Sequence, residues 1–254
     1  MESIVLGLFK GGKLKKGQEA FDQGMVFYET QRYDEASKNF KKASKHFSDG
    51  DEKKLGHRAE AFELCARGYV DLINQNFLAA IRSFGKANVI FSTEGFLDDA
   101  KQARTVQAQT QGELAKSKAQ NGEFIESARL FESSGALYST TGLELEAAKA
   151  RARSFVQRAA AMESDFDKAY YLEKAVEEFK KGREDVTTYE AHALFRRAKA
   201  LISARENMRE AIDILIKSHE KFKKVGNTSQ ADKVRKLLED LTEQVKIRPS
   251  EFGV

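Results

Sequence analysis

The chain has 254 residues, of which 43 are basic and 39 acidic, for a formal net charge of +4. That length buries a substantial core, as two domains or as one elongated stack, and the near-balanced, intermixed charge argues against a surface that tracks nucleic-acid phosphates. A single proline, Pro249, leaves little to interrupt helices and points to an all-α fold, while the lone Cys65 excludes an internal disulfide and fits a reducing compartment.

Residues 1–16 form an apolar and basic N-terminal segment. Its longest apolar run, Ile4 to Phe9, is interrupted by Gly7 and is too short to span a bilayer. It lacks the basic start and cleavage pattern of a secretory signal, so a cytoplasmic location, or a peripheral one on the cytosolic side of a membrane, is expected. Ile4, Val5, Leu6, Leu8 and Phe9 are followed by Lys10, Lys13, Lys15 and Lys16. Apolar insertion beneath lysines over anionic headgroups gives weak, reversible membrane contact. The alternative is that the apolar residues cap the first helix pair and the lysines are solvated.

From Gly17 onward a ladder of small and large residues recurs. Ala36, Phe40, Ala43 and Phe47 stand at intervals of four, three and four, and the ladder returns as Ala80, Phe84, Ala87, Phe91 and as Ser127, Phe131, Ser134, Tyr138. Weaker copies are Ala175, Phe179, Gly182, Val186 and Ala211, Leu215, Ser218, Phe222. Such intervals put all four residues on one helix face; the small one lets a neighbouring helix approach and the large one fills the groove beside it. Gly50, Gly95, Gly142 and Gly226 follow four of the copies as stop signals, and after Val186 a threonine, Thr187 or Thr188, is placed to cap the next helix.

The ladders predict second helices over 33–47, 77–91, 124–138, 168–182 and 208–223. Preceding first helices are predicted over 17–30, 54–74, 98–120, 143–164 and 188–205, with a closing helix over 229–245. No linker interrupts residues 17–246, which read as one repeat domain followed by a tail, 247–254. A helical repeat cannot bury its apolar face alone, so neighbours must stack.

The first two copies resemble tetratricopeptide repeats (TPR). Gly24 precedes Ala36 by twelve residues and Gly68 precedes Ala80 by twelve, Tyr33-Asp34-Glu35-Ala36 is similar to the family's turn into its second helix, and Phe27 fits an aromatic position on its first. Ala20 and Leu64 stand where the family has tryptophan, and Ser48 and Ser92 where it has proline. The long repeat spacing is similar to that of the soluble NSF attachment proteins (SNAPs), and Ile4-Val5-Leu6-Gly7-Leu8-Phe9-Lys10-Gly11-Gly12 to the apolar, glycine-rich loop they use at membranes. The chain ends Arg248-Pro249-Ser250-Glu251-Phe252-Gly253-Val254, without the leucine through which that family engages a hexameric ATPase. The resemblance implies a right-handed superhelix of about five antiparallel helix pairs, a TPR/SNAP-like α-solenoid, with a C-terminal capping helix.

First helices line the concave face of such stacks, and here they carry Lys101, Arg104, Lys116, Lys118, Lys149, Arg151, Arg153, Arg158, Arg196, Arg197, Lys199 and Arg205. A groove of one charge steers an opposite partner, so an acidic helix or helical bundle is the expected ligand. Glu144, Glu146, Glu163 and Glu190 share these helices and offer local pairing instead. Gln18 to Gln23 lacks the lysine and asparagine pair of the carboxylate-clamp mode.

Catalysis has no address. His46, His57, His192 and His219 are scattered without metal-ligand spacing, and Gly11-Gly12-Lys13 lacks the context of a phosphate loop. Cys65 has apolar neighbours and reads as a structural thiol. No cofactor and no metal are expected. An RNA-binding helical repeat is a further alternative, carried by Tyr189, His192 and Phe195 beside Arg196 and Arg197. The reading that follows is a non-enzymatic protein-interaction scaffold, with a SNAP-like membrane-trafficking adaptor as its alternative.

Overall fold

The computed structural model describes residues 2–247, with side chains from 11 to 244. Secondary structure among these residues is helical throughout: α1 (Glu2–Glu29), α2 (Tyr33–Asp49), α3 (Lys53–Ile73), α4 (Phe77–Thr93), α5 (Leu97–Gln120), α6 (Phe124–Thr140), α7 (Glu144–Ala161), α8 (Asp165–Lys181), α9 (Thr187–Ala204), α10 (Met208–Lys224) and α11 (Thr228–Ile247). The backbone divides into two compact units, Met1–Leu114 and Ala115–Val254, and α5 contributes to both. In the first unit α1 to α4 pack each on the next, and in the second α6 to α11 do so. This is the packing order of a helical-repeat solenoid.

The ladder organises both units. The second helices α2, α4, α6, α8 and α10 are each 17 residues long. In α2, α4 and α10 all four ladder residues are buried. In α6 Ser127, Phe131 and Ser134 are buried and Tyr138 half-buried. The ladder begins at the fourth residue of α2, α4, α6 and α10, and in α8 that position is Lys168 rather than Ala175. The fourth copy is therefore Lys168, Leu172, Ala175 and Phe179, one heptad earlier than the sequence suggests. Because the intervals of four and three sum to a heptad, a ladder slipped by seven residues keeps the same face. Gly182 and Val186 are the C-cap of α8 and the N-cap of α9. With this correction the copies are spaced 44, 47, 41 and 43 residues apart, a more even repeat.

The first unit is held by rings. Phe40 packs at 5.4 Å from Phe21 and 5.3 Å from Phe62, and Phe62 at 5.1 Å from Phe91. Tyr69 stacks on Tyr33 at 4.5 Å and meets Phe84 edge-on at 5.1 Å. Such pairs add about 0.5–1.5 kcal/mol each beyond their buried area. Arg58 lies over Phe96 at 4.9 Å and donates to Asp99 at 2.9 Å. Cys65 is buried in this cluster, and burial pushes its thiol up to about 12, as befits an inert structural group.

Close approach of the first helices depends on glycine. A Cβ on Gly24 would stand 2.8 Å from two ring carbons of Phe40, and one on Gly68 2.9 Å from Phe84. Alanine gains about 1 kcal/mol over glycine in a helix, but overpacking against a ring that cannot move costs about 1–3 kcal/mol. Gly24→Ala is therefore expected to destabilise by about 1 kcal/mol in urea titration. Gly11→Ala, with nothing within 4 Å, is expected to stabilise by up to about 1 kcal/mol.

The second unit is packed with alanine and serine. Ala147, Ala152, Ala175, Ala191, Ala198 and Ala211 are almost fully buried. Ser127 donates its hydroxyl to the Ala115 carbonyl at 2.7 Å, and Ser218 to the Ala191 carbonyl at 2.9 Å. A serine in a ladder position thus joins its helix to the preceding one while keeping the small volume the approach requires.

Three turn predictions hold: Gly95, Gly142 and Gly226 take φ of +79°, +76° and +70°. Gly50 does not; it sits at φ −89° and Asp51, one residue later, takes the left-handed conformation at φ +71°. Neither Thr187 nor Thr188 caps α9. Asp185 does that work, accepting from the Thr187 amide at 2.9 Å and hydroxyl at 2.7 Å. The first helix starts at Glu2 rather than near Gly17, with Gly7, Gly11 and Gly12 inside it; three helical glycines cost about 3 kcal/mol without breaking it. Leu14 packs with Phe47 and Ala43 in the core of the first hairpin.

Candidate functional site

Much of the positive charge predicted for a basic groove is offset within its own unit. Lys118 pairs with Glu123 at 2.8 Å, Lys149 with Glu184 at 3.0 Å and Glu146 at 3.1 Å, and Arg151 with Glu178 at 2.7 Å. Arg158 pairs with Glu132 at 2.6 Å, Arg196 and Lys199 with Asp165 at 2.7 and 3.0 Å, and Arg197 with Glu173 at 3.5 Å and Glu210 at 3.7 Å. Arg104 donates to the Asn88 side chain at 3.1 Å. Lys101, Lys116, Arg153 and Arg205 are exposed, and Arg205 takes the left-handed C-cap of α9. The predicted membrane-contact residues Ile4, Val5, Leu6, Leu8, Phe9 and Lys10 lie outside the residues whose side chains are described; Lys15 and Lys16 are exposed, and Lys13 pairs with Asp49 at 3.4 Å.

The aromatics considered for RNA are engaged in packing. Tyr189 stacks on Phe179 at 4.5 Å, and His192 meets Phe222 edge-on at 4.8 Å, where burial, aided by Arg196, lowers its pKa. Phe195 packs against the cluster around Leu215 and Phe222. The other histidines stand apart: His57 lies 2.6 Å from Glu94, and His219 Nδ1 lies 3.0 Å from the Ala231 carbonyl.

What the sequence did not single out is an apolar groove along the seam of α8 and α9. Ser164 caps α8 by accepting from the amides of Phe166 and Asp167 at 3.2 and 3.4 Å, which sets Phe166 at the second position of the helix. Phe166, Ala169, Tyr170 and Glu173 on α8 face Arg197, Leu201 and Ala204 on α9 across a cavity of 440 Å³. From Glu173 the seam widens to 740 Å³ over Val176, Ala193 and Leu194, with Lys217, Glu220 and Lys224 of α10 on its far side. The spacings 166, 170, 173, 177 and 190, 194, 197, 201 put each wall on one helix face. From Phe166 to Glu177 the seam runs roughly 17 Å at 1.5 Å per residue. Phe166 is 70% and Tyr170 50% exposed, in a unit whose ladder phenylalanines, Phe131, Phe179 and Phe222, are almost fully buried.

Ion pairs clamp both ends of the seam. At one end Asp165 holds Arg196 and Lys199; at the other, Glu190 holds Lys180 of α8 at 2.8 Å and Lys221 of α10 at 2.6 Å. Burial alone would raise the Asp165 pKa, but the hydrogen bonds from Arg196 and Lys199 outweigh it and hold the carboxyl below its ordinary value. Hydrogen bonds from Lys180 and Lys221 likewise lower Glu190. Burial of Glu178 is outweighed in the same way by Lys181 and Arg151. A carboxylate with a depressed folded pKa contributes stability above its unfolded pKa, near 4, and loses it as pH falls through the folded value. The second unit is therefore expected to weaken progressively below about pH 4. Hydrogen-exchange mass spectrometry at pH 6 and pH 3, corrected for intrinsic exchange, checks this through the α8 and α9 peptides.

Fold and seam together define an all-α helical-repeat protein with an open apolar groove. No family model matches the chain, and no curated protein matches it by sequence. Among solved structures it is similar to the TPR2AB domain of yeast Sti1 in its pHSP90 complex, at 20% identity over 89% of this chain and 98% of that one, with a TM-score of 0.29. No helix among the described residues is long and apolar enough to cross a membrane.

Proposed function

We propose that the protein is a non-enzymatic interaction scaffold that seats an amphipathic helix of a partner protein in the α8–α9 seam. The observation that carries this reading is the exposed Phe166 and Tyr170 beside Leu201, in a groove whose length suits about three helical turns. Exposed apolar clusters rimmed by polar residues mark interaction sites. The rim carries both signs, with Glu173 and Glu177 on α8 and Lys217 and Lys224 on α10, so it suits a helix with acid on one edge and base on the other. The cations Arg196, Arg197 and Lys199 then serve mainly to hold the seam, and a uniformly acidic bundle fits less well. The full chain, immobilised, is expected to capture its partner from native lysate, and Tyr170→Asp with Leu201→Asp to lose that capture while keeping the helical circular dichroism. Equal capture by both proteins overturns the reading.

A second reading, peripheral membrane contact by a trafficking adaptor, is favoured by one observation. Lys15 and Lys16 at the root of the N-terminal segment are exposed and carry no ion pair among the described residues.

A further inference from the structure

The lysines of α2 have no role in the groove, and nothing in the fold requires them. Lys38, Lys41, Lys42 and Lys45 are all exposed, at spacings that place them along the side of α2 opposite Ala36, Phe40, Ala43 and Phe47. From Lys38 to His46 there is no acidic residue. Three carboxylates of the same hairpin are engaged elsewhere: Glu35 with Arg32 at 2.8 Å, Asp49 with Lys13 at 3.4 Å, and Asp22 accepting from Gln18 at 2.7 Å. None of the four lysines has a carboxylate within ion-pair distance among the described residues. Lys38 acts on Glu35 at longer range, but Lys41, Lys42 and Lys45 make no ion pair among the described residues, unlike most of the α7 and α9 arginines, and keep their charge for an external anion.

Register brings a second basic stretch to the same end. Gly24 lies against Phe40 and Gly17 against Phe47, so α1 and α2 are antiparallel, with Lys15 and Lys16 beside the C-terminal end of α2. Because α2 ends at Asp49, which pairs with Lys13, residues 2–12 of α1 run on past it for roughly 16 Å. That projecting stretch is the one rich in Ile, Val, Leu and Phe.

We propose that the lysine face of α2 is a docking face for an anionic lipid surface. Cations alone would suit any polyanion; cations at the root of a projecting apolar helix suit headgroups with acyl chains beneath them. The proposal extends the membrane reading of the N-terminal segment and rests on it for the choice of lipid over nucleic acid, but places the electrostatic contact on different residues. Each lysine near such a surface contributes about fivefold to partitioning.

The test is sedimentation of the full chain with phosphatidylcholine vesicles, with and without phosphatidylserine. Binding is expected only with phosphatidylserine, and Lys41→Glu, Lys42→Glu and Lys45→Glu together are expected to weaken it by at least about a hundredfold. Lys233→Glu with Lys236→Glu, exposed on α11, is expected to leave it unchanged. Undiminished binding by the triple variant overturns the α2 face; if Leu6→Asp with Phe9→Asp then abolishes binding, the N-terminal reading stands without it. Equal binding to both vesicle types, or binding to heparin or duplex DNA with none to vesicles, also overturns the proposal.

Discussion

Phe84→Ala is expected to cost about 3–5 kcal/mol, the range for emptying a fully buried aromatic site. Phe84 is 0% exposed, wedged between Gly68 and Tyr69. The backbone of Gly68 and the ring of Tyr69 are fixed by α3, so the site has little room to collapse and the cavity term is large. Against a typical domain stability of about 5–15 kcal/mol, this loss removes a large share of what holds the first unit. Protection of the α3 and α4 amides in native-state hydrogen exchange is expected to fall by the same amount. Val89→Ala, at an exposed position of the same helix, is expected to stay within about 0.5 kcal/mol. A cost below 1 kcal/mol for Phe84→Ala would mean that the ladder is not what holds the hairpins together.

Phe166→Ala is expected to leave stability within about 0.5 kcal/mol and to weaken partner binding by about thirtyfold. The two effects separate because the ring is mostly solvent-exposed in the free protein: little packing is lost on folding, while an aromatic anchor is lost on binding. The contribution of a central aromatic in an interface is about 2 kcal/mol or more, which is roughly thirtyfold in Kd. Isothermal titration with the captured partner, beside a thermal melt of the free variant, checks both halves. A variant that binds as well as the parent places the anchor elsewhere.

Helix order and limits were legible in the sequence to within a few residues, apart from the start of α1, because the ladder alternates side-chain volume as well as hydropathy. A face of alanine against phenylalanine admits one helix phase. The fourth copy slipped because Lys168 occupies a small-residue position, where it is half-buried and donates its ammonium to the Glu163 carbonyl at 3.1 Å. A charged residue there looks like surface. The ion pairs were not legible as partners: Arg151 and Glu178 are 27 residues apart in sequence, and composition shows only that both charges exist. The groove was hidden for a related reason. Tyr170 and Tyr189 occupy similar helical contexts, yet one is half exposed beside Phe166 and the other stacks on Phe179. Only the packing of α8 on α9 distinguishes a docking ring from a core ring.

A photoreactive phenylalanine analogue placed at position 166, and a matching one at the exposed position 78 of the first unit, tests the docking seam directly in native lysate. A covalent adduct with one partner protein is predicted from position 166 and not from position 78, and Leu201→Asp is predicted to abolish it. Adducts of equal yield from both positions, or one at 166 that survives Leu201→Asp, would contradict a partner helix seated between α8 and α9.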